Sequence, residues 1–305
     1  MDDQRLLVLS GPTASGKTAL ALALAGIFPL EIVNADSVQV YRGLDIGTAK
    51  PTLKERGSVP HHLIDVADPD QRYDAGRFVE EAEEAIRGIR ERGRFPLVSG
   101  GTGMYIRALI RGLDPLPSDP TVRAALSVRW TEEGGAALFE ELRRIDPASA
   151  AAIHPSDRIR VLRALEVAVV SGKPPSCLKG RWARVAAKYR ILFIHLSPDR
   201  KDLYRRIDER VDGMFREGLV EEVRRLLAKG YGPDLKPMKS LGYRQVVSHL
   251  RGTISLPQAI METKRDTRRY AKRQETWLSR ESAAIRIRPE NAEETTVEMV
   301  KNFLF

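Results

Sequence analysis

Residues 11–18 read Gly-Pro-Thr-Ala-Ser-Gly-Lys-Thr, and this stretch decides the fold. It matches the phosphate-loop pattern G-x-x-x-x-G-K-[ST], directly after the apolar run 6–9 and directly before the Ala- and Leu-rich helical segment 18–27. In such a loop the glycines let successive backbone N–H groups face an anion, the lysine adds a positive charge, and the last hydroxyl can bind Mg²⁺. The sequence therefore predicts a strand, a polyphosphate-binding loop and a helix.

Short apolar runs alternate with helical patterns over the first 114 residues. Besides the run 6–9, strands are expected at 31–34, 62–66 and 95–98. An alternation of strand and helix implies a parallel sheet that helices cover on both faces. The predicted fold class is therefore α/β, a P-loop NTPase-like parallel sheet flanked by helices.

This rhythm breaks at the proline-rich segment 114–120, and the pattern from there to residue 187 is helical without a convincing strand. It resumes with a strand at 191–194, a long charged helical region at 199–229 and a short strand at 284–287. The prediction is a P-loop α/β core with C-terminal helices, formed by residues 1–114 and 188–305, and a helical insertion domain at 115–187.

Composition restricts the class of protein. In 305 residues, 50 Lys+Arg and 41 Asp+Glu give a formal charge of +9, which favours an anionic partner. The longest mostly apolar stretch, 20–30, is too short to span a bilayer, and residues 1–3 do not resemble the start of a signal peptide. A single cysteine, Cys177, excludes a disulfide within the chain. We therefore expect a cytoplasmic protein without a membrane association, and a monomer, since nothing demands a partner subunit.

Two further segments are expected near the phosphate loop, because parallel sheets bind ligands at the carboxyl ends of their strands. Asp36 follows the second strand, where a carboxylate could act as a metal ligand or a general base, although Asp-Ser is also a common helix cap. The strand at 95–98 runs into a second glycine-rich turn, residues 99–103, where an ATPase would normally carry an acidic residue for Mg²⁺. The missing acid argues against ATP hydrolysis.

Basic residues recur at helical spacing in two places. Arg160 and Arg163 lie one turn apart, on a face other than the expected buried stripe of Ile159, Leu162 and Leu165. A second set forms one continuous face, which we name the basic stripe: Arg265, Arg268, Arg269, Lys272 and Arg273. Such a stripe suits a nucleic-acid backbone, with a solvated helix face as the alternative. The neighbours His61 and His62 would point to opposite faces of a strand, so no zinc site is expected.

Together these motifs make the sequence closely similar to the tRNA dimethylallyltransferase family, also called tRNA isopentenyltransferases, in its bacterial form. The resemblance covers nearly the whole chain. The blocks that carry it, in order, are residues 11–18, 36–41, 45–51, 61–65, 100–103, 163–167, 240–245 and 270–274, with Trp277.

The resemblance implies transfer of the dimethylallyl group from dimethylallyl pyrophosphate to N6 of the adenosine 3′ of the tRNA anticodon, position 37, with release of pyrophosphate. It implies Mg²⁺ near Thr18, Asp36 as general base, and Thr102 and Arg123 close to the reacting centre. The pyrophosphate would be bound by Gly11, Thr13, Ala14, Ser15, Gly16, Lys17, Thr18 and Arg210. The anticodon stem-loop would contact Asp36, Ser37, Val38, Gln39, Ile159, Arg160, Val161, Leu162, Arg163, Lys239, Ser240, Leu241, Gly242, Tyr243 and Arg244, and we add Arg268 and Lys272 from the basic stripe.

The chemistry agrees with this reading, because an exocyclic adenine amine is a poor nucleophile and the main electrostatic task is to neutralise the leaving pyrophosphate. Two alternatives share the phosphate loop. A P-loop kinase of a nucleoside or other small metabolite would not need the basic stripe. A nucleic-acid-binding ATPase or RNA-binding module would leave Asp36 and Thr102 without a task.

Overall fold

A computed structural model describes residues 4–114, 116–178, 188–278, 281 and 283–305. The chain divides into two compact units, residues 1–110 with 188–305, and residues 111–187. Residues 115 and 179–187 of the predicted insertion lie outside the described residues. Among the described helices, none has the length and apolarity that a membrane span requires.

The first unit is built on a parallel sheet, which confirms the predicted α/β class. Its described strands are β1 (Arg5–Ser10), β2 (Leu30–Asn34), β3 (His61–His62), β4 (Phe95–Gly100), β5 (Arg190–Leu196) and β6 (Ala284–Ile287). They lie in the order β3-β2-β4-β1-β5-β6, and every neighbouring pair is parallel. Central β1 pairs with β4 and β5, so its carboxyl end meets several other strand ends at one edge of the sheet.

Helices connect and cover these strands. Those of the first half are α1 (Lys17–Ile27), α2 (Leu53–Ser58), α3 (Ala75–Glu91) and α4 (Gly103–Arg111). Residues 111–187 contribute α5 (Pro120–Glu132), α6 (Gly135–Ile145), α7 (Pro147–Ala151), α8 (Arg158–Ser171) and α9 (Pro175–Leu178). The last part holds α10 (Arg200–Arg216), α11 (Leu219–Ala228), α12 (Tyr243–Leu250), α13 (Leu256–Leu278) and α14 (Ala292–Leu304).

The alternation of side chains along β1 shows why this strand must be buried on both faces. Leu6 and Val8 belong to one apolar cluster, which includes Phe78 of α3, whereas Leu7 and Leu9 belong to another, which includes Leu24 of α1. All four β1 side chains are at most 2% exposed. Two helical layers therefore hold the strand that delivers the phosphate loop.

One expectation about an element in this unit was wrong. The strand predicted at 62–66 ends at His62, because Leu63 and Asp65 have φ angles of 62° and 56°, which an extended strand cannot accommodate. Asp65 is instead fixed by ion pairs with Lys50 and Arg56, both at 2.7 Å. The predicted helical region 199–229 is confirmed, and it consists of two helices, because the chain turns between α10 and α11 at Gly218, whose φ is 101°.

Residues 111–187 have an apolar core of their own, which includes Leu138 and Leu142 of α6 and Val161 and Leu165 of α8. The expected buried stripe of α8 was wrong at Ile159, which is 82% exposed. Helix α8 begins at Arg158 and is capped by Asp157, so Ile159 lies in its first turn and projects outside that core.

Candidate active site

The loop between β1 and α1 has the curled backbone that its sequence predicts. Ala14 and Gly16 both adopt left-handed conformations, with φ angles of 64° and 95°. The Lys17 ammonium folds back over the loop and donates hydrogen bonds to the carbonyl oxygens of Gly11 and Pro12, both at 2.8 Å. The hydroxyl of Ser15 is buried without a hydrogen-bond partner among the described residues. The loop thus presents a folded turn, a lysine and the start of α1 to one space.

The charge state of Lys17 is set by its surroundings. Burial and, to a smaller extent, the positive charge of Arg210 lower the pKa of Lys17 to about 7, although the carboxylate of Asp36 opposes both effects. Lys17 therefore loses its proton near neutral pH while the loop holds no anion. An anion in the loop would favour the charged form.

A cavity of about 330 Å³ opens at the carboxyl ends of the strands, beside the phosphate loop. It brings together many of the residues that the sequence singled out, far apart in the chain but all in the first unit. Those lining it are Thr13, Lys17, Thr18, Asp36, Ser37, Val38, Gln39, Arg210, Lys239, Ser240, Leu241, Gly242 and Arg244. Apolar atoms of Ala21, Ile32 and Met214 complete the lining, so the cavity suits a ligand with a charged end and an apolar end.

Asp36 lies on the turn that follows β2. Its Oδ1 accepts hydrogen bonds from the backbone N–H groups of Val38 at 2.8 Å and Gln39 at 3.2 Å, whereas Oδ2 accepts none from the described residues. Ser37 N–H donates to the Thr102 hydroxyl at 3.0 Å, which joins this turn to the second glycine-rich turn. The carboxylate thus caps a turn, as the alternative reading of Asp-Ser supposed, and still presents one oxygen to the cavity that it lines.

Sequence reasoning missed the inner face of α13. The Gln274 side chain is 7% exposed, accepts a hydrogen bond from Thr13 N–H at 2.9 Å and donates one to the Gly101 carbonyl at 2.9 Å. It therefore links the two glycine-rich turns. Tyr270 also lines the cavity, and burial together with the charge of Asp36 raises the pKa of Tyr270. The signal was available, since both residues belong to the resemblance block 270–274.

Arg210 lines the cavity, whereas Arg205 on the same helix forms a surface ion pair. Arg205 pairs with Glu209, four residues further along the helix, at 2.9 Å on its exposed side. Arg210 instead lines both the cavity and an adjoining groove of about 820 Å³ that Ala14 and Gly16 of the phosphate loop also line. Desolvation lowers the pKa of Arg210 from its usual value, yet arginine remains charged at neutral pH.

Three of the five residues of the basic stripe form ion pairs within the protein. Arg268 pairs with Asp208 of α10 at 2.7 Å, and Arg265 and Arg269 contact Asp266 at 3.0 and 3.6 Å. Asp266 belongs to the same helix as the stripe, whereas Asp208 lies on another helix and cannot be found from spacing along the stripe. Lys272 is exposed and has no ion-pair partner within the described ranges, while Arg273 lines the cavity.

The predicted residues Arg123 and 159–163 lie in the second unit. Arg123 makes a double contact with the buried carboxylate of Glu166, at 2.8 and 3.1 Å, and Arg163 contacts the same group at 2.9 Å. Val161 and Leu162 are buried, which leaves Ile159 and Arg160 as exposed members of the predicted tRNA-binding segment. The roles of this segment and of Arg123 stay predictions.

The oxygen ligands near the loop decide which metal ion the site suits. Among the described residues, no group of three or more His, Cys, Asp or Glu side chains could hold an ion by themselves. The Thr18 hydroxyl is exposed in the cavity, and the Asp36 carboxylate lines the same space. Mg²⁺ typically takes one or two protein oxygens and completes its octahedron with phosphate and water oxygens, so these residues fit that ion.

Known families match almost all of this chain. The family described as IPP transferase matches residues 39–281, and the one described as isopentenyl transferase matches residues 4–65. A protein of Syntrophobacter fumaroxidans named tRNA dimethylallyltransferase is 53% identical over 277 residues, 90% of this chain and 81% of that protein. One of the same name from Geobacter sulfurreducens is 50% identical over 280 residues, 92% of this chain and 90% of that protein.

Solved structures agree with these matches. A full-length tRNA isopentenylpyrophosphate transferase from Bacillus halodurans is 37% identical, with a TM-score of 0.73 over 99% of this chain and 96% of that one. A eukaryotic dimethylallyltransferase, solved acting on tRNA, is 28% identical, with a TM-score of 0.85 over 99% of this chain and 80% of that one.

Proposed function

This chain belongs to the IPP transferase family, and from that premise we propose that it transfers the dimethylallyl group of dimethylallyl pyrophosphate to N6 of the adenosine that follows the tRNA anticodon. Relatives at about half identity across nine tenths of the chain are named tRNA dimethylallyltransferases, so tRNA prenylation is favoured over the P-loop kinase alternative. The chain is accordingly a transferase.

The phosphate loop and its cations bind the pyrophosphate in this proposal. Lys17 and Arg210 face the cavity from two directions, and Thr13 and Thr18 line it at the two ends of the loop. Positive charge here stabilises the negative charge that develops as the bond between C1 and the pyrophosphate oxygen breaks. The residues assigned to the pyrophosphate are Gly11, Thr13, Ala14, Ser15, Gly16, Lys17, Thr18 and Arg210.

Thr18, with Asp36 nearby, would hold Mg²⁺ together with the pyrophosphate oxygens. When bound, the ion supplies further neutralisation of the leaving group.

Asp36 accepts the proton that the adenosine amine loses as N6 bonds to C1. The observation that carries this assignment is the geometry of its carboxylate: Oδ1 is held by two backbone N–H groups, Oδ2 accepts no hydrogen bond from the described residues, and Asp36 lines the same cavity as Lys17. Thr102, which holds Ser37, supports the same turn. A positioned general base contributes roughly 10²–10⁴-fold in rate.

The RNA partner is the anticodon stem-loop. Its target base must leave the stack to enter a cavity of this kind, as bases do in other base-modifying enzymes. Residues 36–39, 239–242 and 244 line the cavity, and Ile159, Arg160 and Lys272 are exposed, so these residues are assigned to the RNA. A monomer acting in the cytoplasm, expected from composition, belongs to the same proposal.

The substitution Asp36→Asn tests the assignment. It keeps the shape and an acceptor oxygen for the turn, so tRNA affinity should stay within a few-fold of wild type while kcat falls by roughly 10²-fold or more. Single-turnover prenyl transfer and filter binding measure the two quantities. A kcat near the wild-type value would remove Asp36 from the mechanism.

A further inference from the structure

Glu222 is a buried carboxylate on α11 that receives four hydrogen bonds. The residue is 4% exposed. Its Oε2 accepts from the N–H groups of Asp45 at 3.1 Å and Ile46 at 2.8 Å, and its Oε1 accepts from Gly47 N–H at 3.2 Å and the Tyr243 hydroxyl at 2.6 Å. A charge this buried is costly unless its lone pairs are engaged, so the carboxylate and the loop 45–47 fix each other in place.

The loop that Glu222 holds forms a wall of the cavity. Gly47, Thr48 and Ala49 all line it. Gly47 packs so closely on the Tyr243 ring that a Cβ there would lie 2.5 Å from the ring carbon Cε2. The carbonyl oxygens of Thr48 and Ala49 accept hydrogen bonds from the Gln39 amide at 3.0 and 3.3 Å. The position of the loop therefore determines the position of Gln39.

Gln39 belongs to the turn that holds Asp36. Its backbone N–H donates to Asp36 Oδ1 at 3.2 Å, beside the 2.8 Å bond from Val38. A continuous series of hydrogen bonds thus leads from Glu222 through the loop 45–49 and Gln39 to the carboxylate of Asp36.

We propose that Glu222 is a positioning residue, which fixes Asp36 for proton transfer without touching the substrate. The proposal rests on the proposed function, in which Asp36 accepts the amine proton. Catalysis of this kind depends on placement, and an error of about 1 Å can lower a rate on the order of 10²-fold. Glu222 does not line the cavity, so its substitution changes no group that contacts either substrate.

The substitution Glu222→Gln perturbs this series with little change in shape. An amide offers one acceptor oxygen and one NH₂ group to four donors. The Tyr243 hydroxyl can rotate to accept from the NH₂ group, but a backbone N–H cannot, so at least one bond to the loop is lost whichever way the amide turns. We expect kcat to fall about tenfold or more, with the KM for dimethylallyl pyrophosphate within about twofold of wild type.

Glu221→Gln is the matched control, because Glu221 is the neighbouring residue on α11 but is exposed and pairs with Arg224 at the surface. Its kinetics should equal those of wild type. Hydrogen exchange at the amides of residues 45–47 should accelerate in Glu222→Gln and not in the control.

A double-mutant cycle with Asp36→Asn identifies the route of the effect. If Glu222 acts through Asp36, Glu222→Gln should lower the residual kcat of Asp36→Asn by less than about twofold. Equal fold losses in both backgrounds would overturn the proposal, as would an unchanged kcat in the single variant. Asp36→Asn with near-normal kcat would instead overturn the proposed function, so the two failures are distinguishable.

A second variant covers the case in which Glu222→Gln does not fold. Gln39→Met removes the two bonds to the Thr48 and Ala49 carbonyls from a half-buried position. In the same cycle, non-additivity with Asp36→Asn supports the proposal, and additivity overturns it.

Discussion

Lys17 makes binding of dimethylallyl pyrophosphate depend on pH. Burial lowers the pKa of Lys17 to about 7 in the free protein, and a bound anion should raise this pKa towards the ordinary value of 10.5. The charged form of Lys17 binds the pyrophosphate, so the affinity for dimethylallyl pyrophosphate is highest below pH 7 and falls as the pH rises above 7. By linkage, Kd should rise by about 50-fold between pH 7 and pH 9, and binding at pH 8 should take up about 0.9 proton.

Titration calorimetry without tRNA, in two buffers of different ionisation enthalpy, measures both quantities. The ligand completes its own last ionisation near the start of this range, so it adds little to the slope. Lys17→Arg is the control, because arginine stays charged throughout and should bind with a flat pH profile whatever its affinity. A Kd that does not change from pH 7 to pH 9, with no proton uptake, would refute the reasoning.

Two further predictions concern α13. Lys272→Gln should flatten the dependence of log tRNA affinity on log salt by about one unit, whereas Arg268→Gln, which loses the ion pair with Asp208, should leave that slope nearly unchanged. Filter binding across a salt series measures both slopes. A larger slope change for Arg268→Gln than for Lys272→Gln would contradict the assignment. Gln274→Leu breaks the link between the two glycine-rich turns, so the free energy of unfolding should fall by about 1–3 kcal/mol and the KM for dimethylallyl pyrophosphate should rise. Urea denaturation and steady-state kinetics test this, and an unchanged stability would show that the two hydrogen bonds contribute nothing.

Local patterns predicted most of the sheet, because each long strand is a short apolar run between turn residues. The run 6–9 and the glycine-rich loop after it also fixed where the anion site must lie. The strand expected at 62–66 ends at His62, because Leu63 and Asp65 have left-handed backbone conformations, and Asp65 forms ion pairs with Lys50 and Arg56. Propensity along the chain carries no information about such long-range pairs.

The contacts that the remaining site residues make could not be predicted from the local sequence either. Gln274 lies more than a hundred residues from Thr13 and Gly101, and Glu222 lies as far from the loop 45–47, so nothing in the local sequence says which carbonyl or N–H group they meet. The pairing of Arg268 with Asp208 is hidden in the same way, since it links two helices. Sequence spacing identified the charges, and only the packing of α10, α11 and α13 shows which of them are already paired.

The most direct test of the central claim is mass spectrometry of an anticodon stem-loop RNA incubated with the protein, Mg²⁺ and dimethylallyl pyrophosphate. The proposed function predicts that one dimethylallyl group is added at the adenosine 3′ of the anticodon, that an RNA with guanosine at this position stays unmodified, and that ATP is not turned over with either RNA. RNA-stimulated ATP hydrolysis without a prenylated product would contradict it.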